Sequence, residues 1–115
     1  MFKISKRLEI AGSHNLSLNY ESKCENLHGH NWIIQIFVEA EKLDDNGMVL
    51  DFTHIKKEIH DFLDHKYLNE IFDFNPTAEN IAYWIAHKVS GIREGASCYK
   101  VLVQESEGNI AVWER

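Results

Sequence analysis

Apolar positions change their period along this chain. Residues 31–40, NWIIQIFVEA, are rich in β-branched and aromatic side chains, the composition of a well-packed strand. Residues 2–11 read as an earlier strand. The segment DDNGMVLDF predicts a turn at Asn46-Gly47 followed by a short strand, hence a hairpin. The period then lengthens. Ile55, Ile59, Phe62 and Leu63 fall at i, i+4, i+7 and i+8, one face of a helix, with Asp51 or Thr53 placed to cap its start. Asn75-Pro76-Thr77 signals a second helix, carrying Ala78, Ile81, Ala82, Ile85 and Val89 inward and stopping near Gly91. Residues 99–105 alternate again, and 109–113 form a last strand. Strands joined by turns, with helices between them, predict an α+β architecture: an antiparallel sheet with two helices on one face.

Composition narrows the class. The 115 residues suit a single domain over 1–115 with one core, and no linker, repeat or low-complexity segment divides them. No apolar run is long enough to cross a membrane, and the start MFKISKRLEI lacks a signal-peptide core. A cytoplasmic protein is expected. Its two cysteines, Cys24 and Cys98, do not make a disulfide framework in a reducing compartment. The formal net charge of −6 argues against nucleic-acid binding through general phosphate attraction. It leaves room for a small anionic substrate held by a few local cations.

The chemistry concentrates in CENLHGHNW, residues 24–32. In extended chain, His28 and His30 point to the same side, with Gly29 leaving room between them. Two imidazoles do not close a zinc site, because catalytic zinc takes three protein ligands and keeps one position open. His14, after the first strand in AGSHNL, can supply the third if the first two strands pair. Two exposed imidazoles at a strand start fit the same residues. Cys24 has three readings: fourth ligand of a closed structural site, small buried hydrophobe, or catalytic thiolate beside the metal. Asp64 and His65, in LDHKYLNE, can be an oriented imidazole or a polar helix end. Glu105 continues the face of Val101 and Val103. If that face is the core side, its carboxylate needs a partner, such as the guanidine-like edge of a ligand; otherwise it is wet.

Taken in order, these segments resemble the 6-pyruvoyl-tetrahydropterin synthase and 6-carboxytetrahydropterin synthase family. The resemblance runs over nearly the whole chain. It rests on His14, Cys24-x-x-x-His28-Gly29-His30-Asn31, Gly47-Met48-Val49-x-Asp51-Phe52, Leu63-Asp64-His65-x-x-Leu68-Asn69, Pro76-Thr77-x-Glu79-Asn80 and Val103-x-Glu105-Ser106. Three residues between the cysteine and His-Gly-His resemble the 6-carboxy branch, where the pyruvoyl enzymes usually have five. The resemblance implies a 6-carboxy-5,6,7,8-tetrahydropterin synthase of queuosine and 7-deazaguanine biosynthesis, acting on 7,8-dihydroneopterin triphosphate. It implies zinc on His14, His28 and His30, Cys24 as general base, and His65 with Asp64 as its acid/base partner. Glu105 would grip the pterin edge and join the proton relay, with Thr77 and Glu79 at the substrate pocket. The family fold is the tunnelling fold: a four-stranded antiparallel sheet with two helices on one face. Subunit sheets join into a barrel, commonly in a homohexamer of two trimers with active sites between subunits. The chain departs from many members at Ala11-Gly12-Ser13 and at Ser106-Glu107-Gly108-Asn109. The alternatives are a pyruvoyl synthase, an aldolase-like reaction on dihydroneopterin, and a non-catalytic zinc- or pterin-binding module.

Overall fold

In the computed structural model, which describes all 115 residues, strands β1 (Phe2–His14) and β2 (His28–Ala40) run antiparallel in unbroken register. Phe2 stands opposite Ala40 at one end, and His14 stands opposite His28 at the other. Both strands outrun their apolar segments. The polar ends Ser13-His14 and His28-Gly29-His30 lack the composition of a strand but continue the ladder begun by their apolar neighbours. Even-numbered residues of the two strands share one face. Leu8, Ile10, Trp32, Ile34, Ile36 and Val38 are buried there, so the alternation of side chains places the three histidines at the end of the same row.

β4 (Ala96–Ser106) pairs with β2, and β5 (Asn109–Glu114) pairs with β4, both antiparallel. The β2–β4 ladder slips between Phe37 and Val38, which restores Val101 and Val103 to the core face after Cys98. A second slip, between Gln104 and Ser106, leaves Glu105 unpaired with β5. Bulges of this kind re-aim a side chain.

The helical half starts at Asp51, whose carboxylate accepts from the Thr53 N–H at 2.8 Å and caps α1 (Phe52–Ile55). The helix widens into a π-turn (Lys56–His60) and closes with α2 (Asp61–Leu63). This wide turn keeps Ile55, Ile59 and Leu63, four apart, on one buried row. Phe62, expected on that row, is 40 % exposed and stacks on Trp84 at 5.3 Å instead. A two-residue strand β3 (Lys66–Tyr67) and the short helix α3 (Leu68–Ile71) follow. The helix α4 (Ala78–Ser90) keeps its expected inward row and ends at Gly91.

The sheet order is β3-β1-β2-β4-β5. The four long strands are the expected antiparallel sheet, and α4 packs on β4 and β5. To it is added β3, which runs parallel to β1 at the edge. The sheet is open.

The hairpin expected after Asn46-Gly47 does not form. The turn is present, with Gly47 at φ 80°. However, Asp44 Oδ1 accepts from the N–H of Asn46 and of Met48 at 2.9 Å each, and the Asp44 N–H donates to the Met48 carbonyl. The aspartate uses the donors that a ladder would need, so the loop closes on itself. Val49 and Leu50 then enter the core as loop residues.

Candidate metal centre and active site

His14 ends β1, its partner His28 begins β2, and His30 lies two residues further on the same face. The rings stand edge to face, with centroids 4.5 Å apart for His14–His28, 5.2 Å for His14–His30 and 4.8 Å for His28–His30. One nitrogen from each lies within 4.8 Å of the other two. Trp32 closes the cluster from the core side, edge-on to His14 and His30, and donates its indole N–H to the Gly12 carbonyl at 3.1 Å. A Cβ at Gly12 would come within 3.3 Å of that indole nitrogen, so a larger residue would press on the support of the site. Gly29 does not make room for the histidines, as the sequence reading had it. It belongs to the opposite face, and a Cβ there would meet nothing nearer than a carbonyl at 3.8 Å.

Main-chain carbonyls orient two of the rings. His14 Nδ1 donates to the Pro76 carbonyl at 2.8 Å, and His28 Nδ1 donates to the Asn26 carbonyl at 2.7 Å. Each bond leaves Nε2 with its lone pair, the state a metal ligand needs. The Nε2 atoms of His14 and His30 are buried without a hydrogen-bond partner. Buried polar atoms are rarely left so. Three converging imidazoles, two of them held with a free Nε2 lone pair, fit zinc with an open position. Cys24 is not in the cluster.

Glu105 projects from the β4–β5 bulge toward this cluster. Its carboxylate oxygens stand 3.4 Å from His30 Nε2 and 3.6 Å from His14 Nε2. The carboxylate is thus neither core-buried nor simply wet. It also borders a cavity of 330 Å³ between the start of α4 and the β4–β5 turn, and Glu79 lines the same cavity. Thr77 caps α4, its hydroxyl oxygen accepting from the Asn80 N–H at 3.1 Å.

Asp64 and His65 clasp the main chain of Ala11. Asp64 Oδ1 accepts from the Ala11 N–H at 2.9 Å, and the His65 N–H donates to the Ala11 carbonyl at 2.7 Å. This makes β3 parallel to β1. His65 adopts φ 59°, and its Nδ1 donates to Asp64 Oδ2 at 2.8 Å. The Ala11 N–H, and secondarily His65, hold the Asp64 carboxyl below its ordinary value. His65 is 81 % exposed and lines a cleft of 490 Å³ that also takes in His30, Lys66 and Tyr67. Lys66 is the cation that sequence reasoning did not single out; its one signal was its place beside Asp64-His65. Cys24, half-buried in the 3₁₀ turn Lys23–Glu25, does not line this cleft. The chain therefore brings the three histidines together with Glu105, but brings neither Cys24 nor the His65 imidazole into that cluster.

Burial pushes the His14 and His30 imidazoles below the ordinary 6.5; the Pro76 carbonyl and then Glu105 offset this in part at His14, and Glu105 at His30. The unfolded chain then binds protons more readily than the folded one as pH falls through 6.5. Stability from these residues is present above that value and is lost below it. Chelator-treated protein should therefore melt at progressively lower temperature from about pH 7 to pH 5. His14→Gln should flatten that dependence, and an unchanged slope in melting scans would refute this cause.

The family model described as 6-pyruvoyl tetrahydropterin synthase matches residues 3–115. The 6-carboxy-5,6,7,8-tetrahydropterin synthase of Bacillus subtilis is 28 % identical over 123 residues, 97 % of this chain and 84 % of its own. The enzyme of the same name from Synechocystis is 35 % identical over 98 residues, 77 % and 75 % of the two chains. Among solved structures, Caenorhabditis elegans 6-pyruvoyl tetrahydropterin synthase superposes with a TM-score of 0.76 at 25 % identity, covering 99 % of this chain and 95 % of that one.

Proposed function

We propose that this chain, which belongs to the 6-pyruvoyl tetrahydropterin synthase family, acts as a zinc-dependent 6-carboxy-5,6,7,8-tetrahydropterin synthase in queuosine and 7-deazaguanine biosynthesis. Its substrates are 7,8-dihydroneopterin triphosphate and one water, and its products are 6-carboxytetrahydropterin, acetaldehyde and triphosphate. The observation that carries this reading is the histidine cluster, with two buried unpartnered Nε2 atoms and the Glu105 carboxylate close to both. Relatives 28 % and 35 % identical over most of the chain bear the name of this activity.

His14, His28 and His30 hold the zinc, which when bound supplies Lewis-acid polarisation of oxygens on the substrate side chain. Cys24 takes a proton from that side chain. His65, fixed by Asp64, returns or relays one at the cleft. Both steps are general acid–base chemistry in the ordinary sense. Glu105 accepts N–H donors of the pterin edge, while Thr77 and Glu79 shape the pocket, the first through the helix start and the second from the cavity wall. Lys66 offers a positive charge to the triphosphate.

The protein works as a single-domain cytoplasmic subunit of a homohexamer, two trimers whose sheets join edge to edge. The open β5 edge, with Ile110 and Val112 exposed, supports this. So does the separation of Cys24 from the His65 cleft, which a neighbouring subunit would complete. No helix is long and apolar enough to cross a membrane. A second reading, a 6-pyruvoyl synthase, draws on the likeness to the nematode enzyme.

Incubation of zinc-loaded protein with dihydroneopterin triphosphate, followed by mass analysis, separates them. Acetaldehyde with the 6-carboxy product supports the first reading, and a product that has lost triphosphate but keeps all three side-chain carbons supports the second. Retained zinc with no turnover would leave a binding module.

Glu105→Gln tests the pterin contact. The amide keeps the shape but loses the charge and turns an N–H toward donors. Such a mismatch costs about 1–3 kcal/mol, so pterin affinity should fall roughly 5- to 150-fold with zinc content unchanged. Unaltered pterin affinity in calorimetry would remove Glu105 from substrate recognition.

A further inference from the structure

Past His14 the main chain leaves the sheet, yet it remains paired. The Asn15 N–H donates to Asn69 Oδ1 at 3.0 Å, and the Asn15 carbonyl accepts from Asn69 Nδ2 at 2.9 Å. Two residues on, the Ser17 N–H donates to Asn75 Oδ1 at 2.9 Å, and the Ser17 carbonyl accepts from Asn75 Nδ2 at 3.0 Å. A primary amide presents an acceptor and a donor side by side, so each asparagine reproduces the bond pair that a neighbouring strand would offer. Between them, the Leu16 N–H donates the other way, to the Cys24 carbonyl at 2.9 Å. Residues 15 and 17 thus face the asparagines, and residue 16 faces the turn that carries the thiol.

Both asparagines stand on fixed ground. Asn69 belongs to α3, anchored by the buried Leu68. The Asn75 carbonyl accepts from Asn80 Nδ2 at 2.9 Å, tying it to α4. The Tyr67 hydroxyl donates to the Asn15 side-chain oxygen at 2.6 Å and steadies the first rung. The first rung lies one residue from His14.

We infer that Asn69 and Asn75 are positioning residues for Cys24: together they form a side-chain ladder that holds residues 15–17, and through Leu16 the Cys24 turn, at a fixed place relative to the histidine cluster. This rests on Cys24 being the base of the proposed reaction. Neither asparagine touches substrate in this role. The local turn, in which Ser22 Oγ accepts from the Cys24 N–H at 3.2 Å, shapes the thiol's own loop but does not tie that loop to β1.

The test uses the zinc-loaded full chain with Asn69→Ala, Asn75→Ala and Asn69→Asp. Amide exchange at residues 15–17 should accelerate at least tenfold in the two alanine variants while exchange at Ile34–Val38 holds. Zinc content and KM should stay near wild type, and kcat should fall about 10- to 100-fold, as a displaced catalytic group predicts. Asn69→Asp keeps size and acceptor but sets a carboxylate oxygen against the Asn15 carbonyl, so it should not restore kcat. Restoration by Asp would reduce Asn69 to a polar filler and overturn the inference. Val89→Ala, which weakens the core far from the site, should keep kcat and separates positioning from general loss of stability. Unaccelerated exchange at 15–17 would also overturn it, as would accelerated exchange with unchanged kcat. If the wild-type chain shows no turnover, the functional assignment fails by itself and alkylation of Cys24 decides the ladder, with buried Cys98 as the silent control. A severalfold faster reaction in the variants supports it, and an unchanged rate refutes it.

Discussion

Replacing Cys24 with alanine is expected to leave zinc and fold in place while turnover falls about 10²- to 10⁴-fold, the usual cost of losing a general base. The expectation follows from where the thiol stands. The cluster able to hold a metal contains His14, His28 and His30, and not Cys24. Cys24 is half-buried on a short turn, so truncation at Cβ opens no large cavity and stability should change little. Two measurements on one variant decide the matter. If metal analysis of Cys24→Ala shows zinc lost together with activity, Cys24 is a ligand and the base lies elsewhere. If zinc is kept and kcat is unchanged, the thiol has no chemical part.

Alanine at His14, His28 or His30 should each lower zinc content by at least an order of magnitude and abolish turnover, because a three-ligand site has no spare donor. His14 should be the most damaging. It is fully buried, its Nδ1 satisfies the Pro76 carbonyl, and its ring packs on Trp32. His14→Ala therefore removes a ligand, orphans a buried carbonyl and leaves a void. A melting temperature lowered even in the presence of chelator would report the last two effects apart from the metal. Stoichiometric zinc in all three variants would refute the assignment of the site.

Much of this was legible in the sequence because burial follows period. The row Ala78, Ile81, Ala82, Ile85 and Val89 is buried as its spacing required. The pairing of His14 with His28 followed from two adjacent strands and one question of register. What escaped depends on contacts that no period encodes. Phe62 was placed inward on α-helical spacing, but the π-turn at Lys56–His60 rotates it outward. The hairpin after Gly47 failed because one carboxylate, Asp44, captured the donors of its own loop. The ends of β1 and β2 were cut short because histidine, serine and glycine carry little strand propensity, and the register with an apolar partner extended them anyway. The unpaired position of Glu105 came from a slip between β4 and β5. The amide ladder joins residues 54 and 58 apart in sequence, beyond the reach of local pattern.

The left-handed backbone at His65 has a consequence of a different kind. A residue with a Cβ and a ring is held at φ 59°, where glycine rests at lower energy. Strain of this sort runs on the order of 1 kcal/mol or more. Under the acid–base role proposed for His65, the position is one at which thermal stability and chemistry pull in opposite directions. A population screened for heat resistance alone would drift toward glycine at 65, keeping the main-chain clasp on Ala11 and discarding the imidazole. Such clones would be tougher and idle.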